Sequence, residues 1–139
     1  MSPSAEAHPT SWQERERTMT NEETIRSFIA AWAHLDPEEL AGYFCEDGTY
    51  HNIPTGPVKG RKNVEAMIRG FISSWTETDW EILHLVARED VVIAERVDRT
   101  QAGDKSVDLP CTGVFEMEDG KIKVWRDYFD LGTYVRAMG

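Results

Sequence analysis

The sequence predicts an α+β domain in which N-terminal helices cover one face of a curved, mostly antiparallel sheet and enclose a pocket against it. Three observations support this fold class. Apolar residues recur at helical spacing in segments that precede residue 72. From Trp80 onward, four consecutive segments alternate apolar and polar residues, which indicates an antiparallel meander. The length of 139 residues is sufficient for one domain with a single core.

Three helices are predicted in the N-terminal half. The first begins in "TNEETIRSFIAAW", where Thr20 and Glu23 have the spacing of a capping box. The "DP" pair at residues 36 and 37 then starts a second, short helix that extends to about residue 44. The third helix begins near Arg61. The apolar stripes of the first and third helices consist of Ile25, Phe28, Ile29, Trp32, Val64, Met67, Ile68 and Phe71.

The predicted strands are bounded by turn sequences. "GTYHNI" before Pro54 predicts one strand, and "GPVKGRKN" predicts a turn that leads into the third helix. The meander strands are predicted at residues 80–87, 91–100, 106–117 and 121–130, with Asp119-Gly120 as the strongest hairpin signal. Residues 1–18 are polar and are predicted to form a tail, so the domain is expected to comprise residues 19–139.

Composition narrows the classes of partner and compartment. The net charge of -10 disfavours binding to nucleic acid, because a negative surface repels phosphates. No apolar run is long enough for a membrane span or a signal sequence, and Cys45 and Cys111 have no disulfide or metal spacing. We therefore expect a cytoplasmic protein without a metal site. The histidines, which also lack ligand spacing, are His8, His34, His51 and His84.

Strand periodicity places charged side chains among apolar ones. In "WRDYFD", Asp127 shares a face with Trp125 and Phe129, because alternate residues of a strand point the same way. A carboxylate on an apolar face is costly unless it is paired. Two other predicted strands offer polar groups at a spacing of two. If the three faces coincide, the pocket contains Tyr50, Asn52, Arg96, Asp98 and Asp127.

Such a pocket holds one cation and two acids. In a cavity of low dielectric constant, this set favours one proton shared between Asp98 and Asp127, so one carboxyl acts as an acid and the other as a base. Each motif alone has an ordinary explanation, since Arg96 and Asp98 at this spacing are more often a solvated surface pair. The five residues together favour a functional site.

The segments "YHNIP", "ERVDR", "GVFEMEDGKI" and "WRDYFD" resemble those of the limonene-1,2-epoxide hydrolase family. Its cone-shaped fold is shared with nuclear transport factor 2 and ketosteroid isomerase, and the resemblance extends from about residue 20 to residue 136. It implies an enzyme without a cofactor, usually a homodimer, in which water opens an epoxide in one step. By this resemblance Asp127 is the general base, Tyr50 and Asn52 help to hold the water, Asp98 protonates the epoxide oxygen and Arg96 bridges the two carboxyl groups.

The predicted substrate is a small apolar epoxide, alicyclic or terpene-like, which gives a vicinal diol. Apolar residues predicted to contact it are Ile29, Trp32, Phe71, Trp75, Leu109, Cys111, Trp125 and Phe129. Two alternatives stay open: a ketosteroid-isomerase-like or polyketide-cyclase-like enzyme of the same fold, and a non-catalytic dimer that binds a small molecule. No G-x-S-x-G motif supports an α/β-hydrolase mechanism.

Overall fold

The structure, a computed structural model, describes residues 19–139, and the predicted tail at residues 1–18 lies outside the described residues. This part of the chain forms four α-helices, six strands and one 3₁₀ turn at Trp32–His34. In chain order the elements are α1 Asn21–Ala31, α2 Pro37–Ala41, β1 Phe44–Asn52, β2 Pro57–Lys59, α3 Arg61–Phe71, β3 Glu77–Arg88, β4 Val91–Ala102, β5 Lys105–Glu118, β6 Lys121–Tyr128 and α4 Leu131–Met138. None of these helices has the length and apolar character needed to cross a bilayer.

The strands form one mixed sheet in the order β2-β1-β6-β5-β4-β3. The pair β1 and β6 is parallel, and every other pair is antiparallel. The predicted α+β fold class and the antiparallel meander β3 to β6 are therefore confirmed. The parallel pair places the first strand beside the last, which brings residues near position 50 next to residues near position 126.

The core lies between α1, α3 and the inner face of the sheet. Helix α1 starts at the predicted capping box, in which Thr20 accepts a hydrogen bond from the Glu23 backbone and Glu23 accepts one from the Thr20 backbone. Such a cap is worth about 1 kcal/mol. Phe28 packs edge-on against Trp125, with ring centroids 5.2 Å apart, and Tyr50 stacks on Trp125 with centroids 4.2 Å apart. This aromatic core lies directly behind the polar residues of the inner face and supports them.

Four local predictions differ from the structure. The second helix ends at Ala41, because Gly42 caps it and residues from Phe44 onward already belong to β1. Residues 57–59 form the short edge strand β2 against β1, where a turn was predicted. Strand β6 ends at Tyr128 and not at residue 130, since Asp130 caps an unpredicted helix, α4, by accepting a hydrogen bond from the Thr133 backbone at 3.0 Å.

Candidate active site

Three strands carry the five predicted polar residues to one place on the inner face of the sheet. In the parallel pair, Asn52 lies beside Asp127 and Tyr50 lies beside Trp125. Arg96 and Asp98 face the same side from β4, two strands away from β6. None of the five polar side chains is more than 8% exposed, which rules out the solvated surface pair considered for Arg96 and Asp98.

Arg96 clamps both acids. Its Nε and Nη2 donate to Asp98 at 2.9 and 2.8 Å, and its Nη1 and Nη2 donate to Asp127 at 2.9 and 2.8 Å. Each carboxyl group therefore has a two-point contact with one planar guanidinium, the strongest geometry for such pairs. The Arg96 guanidinium also lies over the Trp80 ring, 4.5 Å from its centroid. The two acids are consequently held at fixed positions relative to each other.

The arginine reaches Asp127 only because β5 carries a glycine between them. Cα atoms two strands apart are separated by about 10 Å, so the Arg96 side chain has to cross β5. It crosses near Gly113, the residue paired with Asp127 in the sheet. A Cβ at Gly113 would lie 2.9 Å from Arg96 Nη1 and 2.7 Å from Trp125 Nε1. Glycine at this position is therefore a requirement of the clamp.

We expect Gly113→Ala to disrupt the site. The added methyl group meets two buried side chains that cannot move freely, so we predict a loss of about 1–3 kcal/mol in the free energy of unfolding. The displaced clamp should also lower kcat/KM by up to about 100-fold. Urea unfolding and turnover measurements on the variant test this. Gly56→Ala is the matched control, since no atom lies within 4 Å of its added Cβ, and equal behaviour of both variants would contradict the prediction.

Burial and the paired charges set the protonation states. Burial disfavours the charge on Arg96, but Asp127 and Asp98 outweigh it and hold the Arg96 pKa well above its ordinary value. Burial raises the pKa of Asp98 above its ordinary value, because the attraction to Arg96 does not fully compensate for lost hydration. Burial and the charge of Asp127 also raise the pKa of Tyr50, which therefore stays a neutral phenol. Asp98 therefore keeps its proton to a higher pH than an ordinary aspartic acid does.

Cys111 touches the acid pair and is not a nucleophile. Its Sγ lies 3.4 Å from Asp98 Oδ2 and 3.5 Å from the Leu109 carbonyl oxygen. Burial, with a contribution from the Asp98 charge, raises the pKa of the Cys111 thiol far above its ordinary value. The reactive form of cysteine is the thiolate, so this side chain remains an inert thiol.

Among residues 19–139, two groups of acidic and thiol side chains are close enough together to share a cation. In the first, Asp98, Cys111 and Asp127, the Arg96 guanidinium already occupies both carboxyl groups. The second group is exposed and consists of Cys45, Asp47 and Glu118. Lys123 Nζ lies 2.6 Å from Asp47 and 3.6 Å from Glu118, so the Lys123 ammonium group is already the counterion of both carboxylates. Neither donor set is open for a metal ion without displacing a basic side chain.

The acid pair opens onto a small cavity of about 20 Å³, which is room for about one water molecule. Its lining combines four polar site residues with a mainly apolar wall: Tyr50, Asn52, Phe71, Trp75, Trp80, Asp98, Thr100, Val107, Leu109, Cys111, Asp127, Phe129 and Tyr134. Asn52, Phe71, Phe129 and Tyr134 also line an adjoining surface groove of about 420 Å³ between α3 and α4. The cavity and the groove therefore meet at these four residues.

The structure separates the predicted apolar contacts into two groups. Phe71, Trp75, Leu109, Cys111 and Phe129 line the cavity. The other three predicted contacts lie in the aromatic core behind it, because α1 and the middle of β6 pack directly against each other: Ile29, Trp32 and Trp125. Arg96 lies beneath the acid pair and contacts both acids without lining the cavity.

Sequence reasoning missed four lining residues: Trp80, Thr100, Val107 and Tyr134. Strand parity could have found three of them. Trp80 pairs with Asp98 across β3 and β4, and Thr100 and Val107 pair with each other one repeat further along the same face. Tyr134 lies on no strand, and the signal that could have found it is the helical spacing of Leu131, Tyr134 and Met138.

Comparisons with known proteins identify first the class of fold and then the family. A protein with a ketosteroid isomerase-like fold from Catenulispora acidiphila superposes with a TM-score of 0.76, at 21% identity, over 85% of this chain and 93% of that one. A structure of an M. tuberculosis LEH-like epoxide hydrolase superposes with a TM-score of 0.73, at 25% identity, over 84% of this chain and 86% of that one. The protein therefore has the predicted cone-shaped fold of this group.

The family follows from sequence. Residues 19–138 match the limonene-1,2-epoxide hydrolase catalytic domain. Among characterised relatives, epoxide hydrolase EphG of Mycobacterium tuberculosis is 28% identical over 114 residues, which cover 82% of this chain and 76% of the relative. The chain belongs to the limonene-1,2-epoxide hydrolase family, and the resemblance identified from its motifs is confirmed.

Proposed function

We propose that this protein is an epoxide hydrolase that adds water in one step to an alicyclic or terpene-like epoxide and releases a vicinal diol. The observation that carries the proposal is the clamp of two buried acids by Arg96 at the edge of a mainly apolar cavity. Family membership and the relationship to an epoxide hydrolase support the same reaction class. No cofactor is invoked, because the reaction needs only an acid, a base and water.

In this proposal Asp127 is the general base. Its ionised carboxylate takes a proton from water as the water oxygen attacks an epoxide carbon. Tyr50 and Asn52 line the cavity beside Asp127, where a phenol and an amide can orient the water. Holding the nucleophile in one orientation lowers the entropic part of the barrier. A cavity with room for one water molecule suits this role.

Asp98 is the proposed general acid. As the epoxide C–O bond breaks, the electron pair stays on oxygen, and Asp98 transfers its proton to that oxygen. The raised pKa keeps this proton available at higher pH than an ordinary carboxyl group would. Arg96 stabilises the charge of the pair throughout, since one negative charge moves from Asp127 to Asp98 during the reaction. Before the next cycle a proton has to return from Asp127 to Asp98.

Apolar side chains support the proposed substrate class. The wall of Phe71, Trp75, Leu109 and Phe129 offers no charge to a ligand, which favours a hydrocarbon ring. A terpene-sized epoxide exceeds a cavity of about 20 Å³, so its binding requires the wall to move. The partly exposed residues shared with the groove, such as Phe71 and Phe129, are the part of the wall with space to move into.

We predict that Asp98→Asn lowers kcat by about 10²–10⁴-fold on limonene oxide or cyclohexene oxide, because an amide cannot supply the proton. In the unmodified protein, kcat should fall on the alkaline side as Asp98 ionises, at a pH above the ordinary carboxyl pKa. Diol formation between pH 5 and 9 measures both effects. Enzymes of this fold that act on carbonyl compounds would form no diol in this assay.

The same ionisation affects stability with a definite sign. A carboxyl group whose folded-state pKa is raised stabilises the fold fully below its unfolded pKa, and this contribution is lost as pH rises through the folded value. Asp98→Asn should therefore lose less stability between pH 4 and 8 than the unmodified protein does. Asp104→Asn, in the exposed turn between β4 and β5, is the matched control. If Asp98→Asn formed the diol at the normal rate, Asp98 would not be the general acid.

We also propose a cytoplasmic homodimer. Both cysteines are free thiols, which suits a reducing compartment. On the outer face of the sheet, Val86 and Ile93 are cross-strand neighbours in an exposed apolar patch that includes Val91. The flanking His84–Glu95 and Arg99–Glu81 pairs are polar groups suited to the rim of an interface with a second copy. A monomeric mass at micromolar concentration would contradict the dimer.

A further inference from the structure

Tyr134 presents a polar group to the apolar part of the cavity. It lies on α4 and lines the cavity together with Phe71 and Trp75. Trp75 Nε1 donates a hydrogen bond to the Tyr134 hydroxyl oxygen over 3.0 Å. An indole N–H can only donate, so the Tyr134 oxygen has to be the acceptor. The hydroxyl proton of Tyr134 is then left for another partner.

No such partner is present in residues 19–139, where the contact to Trp75 is the one hydrogen bond of the Tyr134 hydroxyl. The other polar side chains of the cavity either have a protein partner or, like Tyr50 and Asn52, are assigned to the water in the proposed reaction. Asp98 and Asp127 pair with Arg96, and the Thr100 hydroxyl pairs with Thr78 at 2.7 Å. The proposed reaction assigns no task to Tyr134, and its hydroxyl does not contact either acid. Its free proton therefore points to a contact with the ligand away from the epoxide ring.

The hydroxyl is also held in place. The Tyr134 ring packs against Phe71, with centroids 5.6 Å apart, and Phe71 packs against Trp75 at 5.0 Å. Asp130 caps the start of α4, and Lys105 Nζ donates to the Gly139 carbonyl oxygen at its end, over 3.1 Å. A donor fixed by its neighbours loses little entropy when it binds an acceptor, so it can discriminate effectively between ligands with and without an acceptor atom.

We propose that Tyr134 determines specificity by donating a hydrogen bond to an acceptor oxygen on the substituent of the epoxide substrate. The inference rests on the proposed hydrolase function and narrows its substrate class to epoxides that carry a carbonyl, ether or hydroxyl oxygen. Around Tyr134 the wall is apolar, with Val107, Leu109 and Phe129 nearby. A pure hydrocarbon would cover the Tyr134 proton without replacing its bond to water, which disfavours binding. An acceptor oxygen restores that bond.

A matched pair of substrates isolates this contact. Limonene oxide carries an isopropenyl group on its ring, and the corresponding acetyl compound replaces the terminal CH₂ by an oxygen of nearly the same size. We expect the unmodified protein to favour the acetyl epoxide by roughly tenfold in kcat/KM, mainly through KM. In Tyr134→Phe this preference should fall to about one. Tyr43→Phe is the control, because the Tyr43 hydroxyl pairs with Ser27 in a different part of the molecule.

The outcomes separate the two proposals. If neither epoxide gives a diol, the hydrolase proposal fails. If both give diols and the preference is absent, or persists in Tyr134→Phe, the role of Tyr134 is overturned while the hydrolase proposal stands. Dissociation constants for the same two compounds, from quenching of tryptophan fluorescence in Asp127→Asn with and without Tyr134→Phe, provide the comparison without turnover. Trp75 and Trp80 in the cavity wall are suitable reporters.

Discussion

Asp127→Asn is expected to reduce diol formation by about 10⁴-fold while the protein stays folded. The amide keeps the shape of the side chain but cannot accept the proton of the attacking water, which removes general-base catalysis. One of its hydrogen bonds from Arg96 is also lost, because an amide nitrogen cannot accept it. We expect this to cost about 1–3 kcal/mol in the free energy of unfolding. Single-turnover rates and urea unfolding measure the two effects separately.

The control for this substitution is Asp108→Asn. Asp108 lies on β5 with its side chain exposed, 4.0 Å from Arg99, so its neutralisation should change the rate less than twofold. A rate near that of the unmodified protein in Asp127→Asn would show that a different group activates the water. Loss of folding in Asp127→Asn alone would instead mean that Asp127 is required for the fold.

Arg96→Met should have the largest effect on stability. The guanidinium is fully buried and is the partner of both acids, so its removal leaves two carboxyl groups without a counterion. Breaking a buried pair in this way costs about 3–5 kcal/mol. The loss should depend on pH. Without Arg96 both carboxyl groups favour the protonated form, so the variant should be least destabilised near pH 4 and most destabilised near pH 8.

Arg99→Met provides the comparison on the same strand. Arg99 points to the outer face and pairs with Glu81 at 2.6 Å in solvent, an arrangement worth less than about 1 kcal/mol. Urea unfolding of both variants at pH 4.5 and 8 tests the contrast. Equal losses for Arg96→Met and Arg99→Met at pH 8 would show that the buried clamp is not what holds the acids in place.

Much of the sheet could be predicted because its cues are local. Alternation of apolar and polar residues marked the meander, and Asp119-Gly120 marked its last hairpin, where both residues have positive φ values of 51° and 75°. Helix α4 was missed although its cues are present, since Leu131, Tyr134, Val135 and Met138 have helical spacing and follow Asp130, a residue type that favours the helix N-cap. Strand β2 was missed since it has three residues and exists only through its pairing with β1.

The candidate site was predictable for a related reason. Asp127 between aromatic residues required a buried partner, and parity on β4 supplied Arg96 and Asp98. The sequence did not predict that the Arg96 side chain crosses β5. Strand parity gives the face on which a side chain lies, but it does not identify the small residue over which a long side chain passes. Gly113 is essential only in three dimensions, where its missing Cβ leaves space for Arg96 and Trp125.

The parallel pairing of the first and last strands also had no local signal. It places Tyr50 and Asn52 beside Trp125 and Asp127, and without it the proposed water site would have no wall on that side. Sequence reasoning could state that the faces had to coincide. The sheet order achieves this by inserting β6 between β1 and β5.

The origin of the oxygen atom in the product tests the proposed one-step mechanism most directly. Limonene oxide or cyclohexene oxide is mixed with excess enzyme in ¹⁸O-labelled water, so that each active site turns over once. Direct attack by water held at Asp127 predicts that the first diol formed carries one ¹⁸O atom. An unlabelled diol from this single turnover would mean that a carboxylate oxygen had attacked the epoxide, and it would contradict the mechanism.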